Sequence, residues 1–269
     1  MEISQSRRKK ESGMNQSERR NFLIQELLRE NVQYRDMKVP AGEEEQKQLL
    51  RGLMNVRLPK KIGREFLKVQ DEYLQAETAA KGITELKDLN PVSEGLYLWQ
   101  GDITTLRCDA VVNAANSGMT GCYVPNHRCI DNCIHSFSGI QLRIDCAEIM
   151  RMQGHEEETG KAKITKAYNL PCRYILHTVG PIVHGSLTKA DCEKLAGCYR
   201  SCLELAAKNH LESVAFCCIS TGEFHFPNDK AAQIAVGTVK KFIQKETSVK
   251  KVVFNVFKDL DKEIYSELL

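Results

Sequence analysis

Hydrophobic positions along the chain follow two different periods. Up to about residue 89 they recur at helical spacing. Phe22, Leu23, Leu27 and Leu28 form one apolar stripe, and Leu49, Leu50, Leu53 and Met54 form another. Pro59 to Gly82 reads as a third helix, with Phe66, Leu67, Tyr73 and Leu74 as its buried positions. Pro40-Ala-Gly separates the first helix from the second, and Asn55 to Pro59 separates the second from the third. No strand pattern stands out in this stretch, which closes on the turn-rich Asp88-Leu-Asn-Pro-Val-Ser.

From residue 95 short apolar runs alternate with longer amphipathic ones. Leu96 to Trp99, Asp109 to Asn113, Ala162 to Leu170, Tyr174 to Val179, Ser213 to Ser220 and Lys251 to Phe257 read as strands. The second is nearly all apolar, as expected of a strand buried on both faces. Residues 189–208 and 228–245 read as helices, the first with Leu195, Cys198, Tyr199, Cys202 and Leu205 on one side. Alternating strands and helices predict a three-layer α/β/α domain around a central, mixed but largely parallel sheet, preceded by a small all-helical extension. The expected division is a disordered tail at 1–14, helices at 15–89 and the α/β domain at 90–269. Ligands of such sheets sit at the carboxyl ends of strands, so polar residues there are the first candidates for function.

Composition narrows the picture. The chain has 269 residues, 42% hydrophobic and 27% charged, which suits a soluble globular protein. The net charge of +3 arises within residues 1–20, with six basic and three acidic residues, and the remainder balances at 32 against 32. Nothing there drives sequence-independent nucleic-acid binding. Met14 is an alternative first residue. No apolar run nears the roughly 20 residues that span a membrane, and no apolar segment follows the basic N-terminus to make it a secretory signal. The 11 cysteines therefore read as reduced thiols of a cytoplasmic protein.

Four segments at strand ends carry candidate chemistry. Asp102, in Trp99-Gln-Gly-Asp-Ile-Thr, can accept from an amino-bearing ring or simply cap a turn. Asn113 and Asn116, in Val-Asn-Ala-Ala-Asn-Ser, can bind sugar hydroxyls or shape a turn. Ser220-Thr-Gly-Glu-Phe-His-Phe-Pro-Asn-Asp229 offers loop amides and a helix start to a diphosphate, or is a plain connection. Gly121-Cys-Tyr-Val-Pro-Asn-His-Arg-Cys129 brings Cys122, His127 and Cys129 within eight residues, the donor types zinc prefers. Three ligands leave a position open for water; Cys133, one helical turn on, would close the set into a structural site. His135 and His177 read as packed residues, Cys192, Cys198, Cys202, Cys217 and Cys218 as core, and Glu156 to Glu158 as a solvated turn. No well-placed Asp or Glu follows the Asn pair to serve as a general base.

Taken in order, Gly101-Asp-Ile-Thr, Val111-Val-Asn-Ala-Ala-Asn-Ser, His177-Thr-Val-Gly-Pro181 and Ile219-Ser-Thr-Gly-Glu-Phe-His-Phe-Pro227 resemble a macrodomain. Most members carry a glycine run after Asn-Ser. The segment Gly118 to His135 replaces it, and resembles the zinc-containing macrodomains of bacteria and some microbial eukaryotes, which also carry a helical N-terminal extension. The likeness spans nearly the whole chain. It implies a hydrolase that removes mono-ADP-ribose from modified proteins, with one zinc on Cys122, His127 and Cys129 activating water or orienting the distal ribose. It implies that Asp102 and the Ile103 amide hold the adenine, with Phe257 packed on it. Asn113 and Asn116 would frame the distal ribose, and Ser220, Thr221, Gly222, Glu223 and Phe224 would wrap the diphosphate. With the metal doing the activating, Asn116 would position ribose or water. The implied protein substrate is a lipoyl-carrier-like domain. Two other readings stay open: an ADP-ribose-binding module with a structural zinc and no turnover, and a hydrolase of a small ADP-ribose derivative.

Overall fold

The computed structural model describes residues 13–269. Of the tail expected over residues 1–14, residues 1–12 lie outside the described residues. Three helices follow: α1 (Gln16–Glu30), α2 (Glu43–Val56) and α3 (Arg64–Lys81). Helix α1 starts on a capping box, in which Asn15 accepts from the Glu18 amide and the Glu18 carboxylate accepts from the Asn15 amide. Leu23, Ile24, Leu27 and Leu28 of α1 share a buried cluster with Leu50, Leu53 and Met54 of α2 and with Phe66, Val69, Tyr73 and Leu74 of α3. Ile140 belongs to the same cluster, so these helices pack onto the rest of the molecule as well as onto one another. One detail departs from the sequence reading: Thr84–Glu85 forms a two-residue strand, β1, paired in parallel with β4 (Leu106–Arg107).

The main sheet has seven strands in the order β2-β3-β9-β8-β5-β7-β6. These are β2 (Pro91–Ser93), β3 (Leu96–Gln100), β5 (Ala110–Ala115), β6 (Ala162–Lys166), β7 (Tyr174–Val179), β8 (Ser213–Phe216) and β9 (Lys251–Val256). The four inner pairings are parallel, and only the outermost pairs, β2 with β3 and β6 with β7, are antiparallel. Successive residues Val111 and Val112 are both fully buried, so β5 is covered on both faces. The covering helices are α4 (Ile130–Ser138), α5 (Ile140–Gln153), α6 (Lys189–Lys208), α7 (Asn228–Ile243) and α8 (Asp259–Leu268). The α/β architecture with a mixed, largely parallel sheet is thus the one the patterning predicts.

Two strands are shorter than their apolar runs. Strand β6 stops at Lys166 because the chain turns at Tyr168 (φ +55°) into β7. Strand β8 stops at Phe216, and the chain then bends through Ser220 (φ +66°). Helices α5 and α8 escaped the sequence reading. Helix α5 buries Arg143 beside Ile140, Leu142 and Cys146, which breaks the apolar stripe that marks a helix.

Candidate active site

Strands β3 and β9 run side by side, and the Gly101 amide donates to the Val256 carbonyl at 3.2 Å. Asp102 and Phe257 therefore emerge at neighbouring strand ends. Asp102 does cap a turn: its Oδ1 accepts from the Thr104 amide (3.0 Å) and the Thr104 hydroxyl (2.6 Å). Its second oxygen faces Lys81, with Nζ 3.6 Å away, and the side chain stays 42% exposed. One oxygen is structural and the other is open to a ligand. The Ile103 side chain is buried, while the Phe257 ring is 78% exposed.

The Asn pair closes β5. Asn113 is fully buried; its Nδ2 donates to Asp131 Oδ1 (2.8 Å) and lies 3.1 Å from His177 Nδ1. Its side chain points into a polar cluster under the strand end. Asn116 is half-buried, with Nδ2 donating to Asp131 Oδ2 (3.2 Å) and to the Gly121 carbonyl (3.3 Å), and Oδ1 accepting from the Gly118 amide (3.0 Å). A carboxylate attends the pair nonetheless. Asp131 stands 15 residues beyond Asn116, in the first turn of α4, and the fold returns it to both side chains. Burial pushes its carboxyl up to about 6, against the lowering effect of Asn113, Arg143 and Asn116. With one oxygen bound to each asparagine, it orients the pair.

The loop after β8 is wound on itself. The Phe226 amide donates to the Ser220 carbonyl (2.9 Å), the His225 amide to Gly222 (3.2 Å) and the Val183 amide to Phe224 (2.9 Å). Ser220 and His225 both take positive φ. Among the described residues the amides of Thr221, Gly222, Glu223 and Phe224 have no acceptor. The loop sits tight against the end of β7: a Cβ at Gly180 would lie 2.1 Å from Ser220 Oγ and 2.9 Å from Ile219 Cγ2. Only glycine fits there.

The ligand atoms of Cys122, His127 and Cys129 lie within 4.8 Å of one another, so the fold assembles the trio its spacing suggested. Cys122 Sγ is 3.8 Å from His127 Nδ1. Cys129 is the N-cap of α4 and accepts from the Asn132 amide at 3.4 Å. Burial, with the nearby Cys122, pushes the Cys129 thiol up to about 12; a bound dication reverses that direction by favouring the thiolate. The donor set fits zinc. Among the described residues Cys133 is outside the trio, its sulfur 3.5 Å from Arg51 Nη2. His127 Nε2 is 3.8 Å from Glu223 Oε1, which brings the trio against the loop after β8.

A second group, His135, Cys146 and His177, also clusters within 4.8 Å and is fully buried. His177 is already engaged at both nitrogens, by Asn113 at Nδ1 and by Thr165 Oγ1 (2.9 Å) at Nε2. A Cβ at Gly121 would meet the His135 ring at 2.6 Å, so the two are packed face to face. These histidines are core residues, as their apolar surroundings in the sequence imply.

Comparison with known proteins bears on the family and the fold. The Macro domain family model matches residues 112–235. A protein-ADP-ribose hydrolase of Treponema medium is 59% identical over 260 residues, covering 95% of this chain and 100% of the relative. Among solved structures, a mutant Oceanobacillus iheyensis macrodomain with ADPR is 37% identical with a TM-score of 0.60, covering 66% of this chain and 93% of that one. A Trypanosoma brucei macrodomain in complex with ADP-ribose is 29% identical with a TM-score of 0.63, covering 81% and 94%. The chain belongs to the Macro domain family. Within it, the T. medium protein-ADP-ribose hydrolase is similar over nearly the full length, helical segment included.

Proposed function

We propose that this protein hydrolyses mono-ADP-ribose from modified proteins and holds one zinc ion on Cys122, His127 and Cys129. The observation that carries the reading is the meeting of three elements: the thiol–imidazole trio, Asn116 against the Gly121 carbonyl, and the free-amide loop that reaches His127 through Glu223. ADP-ribose lies along this line. The open oxygen of Asp102 accepts from the adenine amino group, with the Ile103 amide beside it and Phe257 against the ring. Amides of residues 221–224, within the loop from Ser220, take the diphosphate. Asn116 meets the distal ribose, and Asn113 frames it from beneath through Asp131. When bound, a zinc with three protein ligands supplies Lewis acidity and brings the pKa of water down to about 7.

The relatives named protein-ADP-ribose hydrolases support the reaction, and the neighbours solved with ADPR and ADP-ribose support the ligand. The lipoyl-carrier-like substrate is carried by family resemblance alone. A cytoplasmic location is supported by the 11 free cysteines. None of the described helices is long and apolar enough to cross a membrane.

The test pairs metal content with turnover in the native chain and its Cys122→Ala variant, assayed on a mono-ADP-ribosylated protein. One zinc per native chain with ADP-ribose release, both lost in a variant that still melts cooperatively, supports the reading. Zinc and ADP-ribose binding without release from any substrate turns it into a binding module. Release from small ADP-ribose derivatives but not from protein moves the substrate class.

A further inference from the structure

The trio-bearing loop, Gly121 to Cys129, is short of its own support. Among the described residues it has one internal backbone bond, from the His127 amide to the Val124 carbonyl (3.2 Å). Several of its other backbone groups find partners outside the loop, and helix α2 is a main source. Arg51 Nη2 donates to the His127 carbonyl at 2.7 Å and to Asn132 Oδ1 at 2.9 Å. Asn132 Nδ2 in turn donates to the carbonyls of Cys122 (3.4 Å) and Val124 (2.9 Å). Asn55, only 1% exposed, accepts from the Asn126 amide at 2.9 Å and donates to Ser136 Oγ at 2.8 Å. Arg51 and Asn55 are four residues apart, on one face of the helix. Gly52 between them lies against the same loop: a Cβ there would be 3.4 Å from Asn126 Nδ2 and 3.7 Å from Pro125 Cβ.

Leu50, Leu53 and Met54 anchor α2 in its own helical cluster. The helix is therefore rigid on one side and bonded to the loop on the other. Its carboxyl end is bonded to the loop as well. Arg143 donates through Nη1 to the carbonyls of Met54 (3.3 Å) and Arg57 (2.8 Å), and through Nη2 to the Cys122 carbonyl (3.3 Å).

We infer that helix α2 is the element that sets the ligand loop: Arg51 and Asn55 are positioning residues for Cys122, His127 and Cys129, an inference that rests on the zinc reading above. Neither residue reaches the ligand atoms of the trio. They fix the backbone of His127 and of its neighbour Asn126, and so the direction from which the imidazole meets the two thiols. The helical segment thereby takes part in the site, beyond covering a face of the α/β domain.

Cobalt(II) in place of zinc tests this without recourse to activity. The native chain, Arg51→Ala, Arg51→Lys and Asn55→Ala are titrated with cobalt(II) while the thiolate charge-transfer band is followed. Each sample is then titrated with ADP-ribose by calorimetry and melted without metal. Loss of a supporting contact around a metal site typically costs 10–100-fold in metal affinity. That loss is expected in Arg51→Ala and Asn55→Ala, with an altered band, and a smaller loss in Arg51→Lys, which keeps one donor but not the fork. ADP-ribose affinity should stay within a factor of two, and Arg51→Lys should melt like the native chain. Equal cobalt affinity and an unchanged band in folded variants overturn the inference. A native chain that binds neither zinc nor cobalt overturns the zinc reading and this inference with it, and the native control separates that case from a failure of the clamp alone.

Discussion

Two loops meet at the carboxyl ends of the sheet, and they owe their order to opposite sources. Ser220 to Phe226 is held by its own backbone, through the Phe226–Ser220 and His225–Gly222 bonds and two residues at positive φ. Gly121 to Cys129 is held by side chains of α2, α4 and α5. The difference follows from what each loop presents. A loop that binds with amides must leave them unpaired, so it curls its carbonyls and terminal amides inward. A loop that binds with side chains has those side chains committed, and its backbone groups must find partners elsewhere. The first is local in sequence, and the second depends on residues up to 76 positions away.

The sharpest way to break the externally held loop is at Arg143. Replacing it with Met keeps the aliphatic bulk but strips donors from the carbonyls of Met54, Asn55 and Arg57 at the end of α2, and from Cys122. Charged hydrogen bonds of this kind contribute roughly 1.5–3 kcal/mol each, and orphaned buried carbonyls add to the loss. We expect Arg143→Met to lower unfolding free energy by about 3 kcal/mol, read from urea midpoints. A loss below half that would mean the helical segment is held mainly by its apolar cluster.

The self-held loop is broken from a neighbour instead. Gly180→Val drives a side chain into Ser220 and Ile219. Overpacking of this sort costs about 1–3 kcal/mol, and concentrated in the loop proposed to take the diphosphate it should weaken ADP-ribose binding on the order of 50-fold. Cobalt(II) uptake by the other loop should not change. If calorimetry finds both ligands weakened alike, the two loops are one cooperative unit and the comparison collapses.

How much of this was legible in sequence divides along the same line. The free-amide loop, the two strand-end asparagines and the Cys-His-Cys spacing are local patterns, and the fold brings them together at one end of the sheet. Asp131 was missed because it lies 15 residues from Asn116 and reads as an ordinary acidic residue in the first turn of a helix. Arg51 and Asn55 were missed for a stronger reason. On α2 they look like the polar face of an amphipathic helix, and only packing shows that this face meets a loop instead of water. Arg143 even misled, since a buried arginine hid α5 from the hydrophobic pattern.

His177 sits beneath the strand end between the loops, bonded to Asn113 and Thr165, and burial drives its pKa down to about 3. In the unfolded chain it titrates near 6.5. Between these values the unfolded state binds more protons, so stability falls as pH drops through 6.5. At pH 5 the loss from His177 is about 2 kcal/mol. Urea midpoints at pH 7.5 and 5.0 should differ in that direction, and His177→Gln should narrow the gap. An unchanged gap would assign the acid sensitivity to other groups, such as His135, which burial also drives down.

Asp102 carries a smaller and divided effect. One oxygen caps the turn at Thr104, and loss of such a cap costs about 1 kcal/mol of stability. The other accepts from the adenine in the proposed pose, and on that reading Asp102→Ala should weaken ADP-ribose binding about 10-fold. Asp102→Asn separates the two, since it keeps an acceptor for Thr104 while changing what faces the ligand. A variant that loses stability but binds ADP-ribose normally would reduce Asp102 to its cap.

Cys133 should give the smallest effect of all, and that makes it the cleanest discriminator. It lies one helical turn past Cys129, and by spacing alone it is as good a fourth ligand as any. In the structure its thiol stands 3.5 Å from Arg51 Nη2 and points toward the Arg128 carbonyl at 3.9 Å. A cation bonded to the same region makes it a poor place to gather a second positive charge. Cys133→Ser should therefore bind zinc with native stoichiometry and native resistance to a chelator, and should release ADP-ribose at the native rate. If the variant instead loses zinc, the site is a closed four-ligand one. The open position that the proposed hydrolysis needs would be gone, and the trio would be a structural clasp in place of a reacting centre.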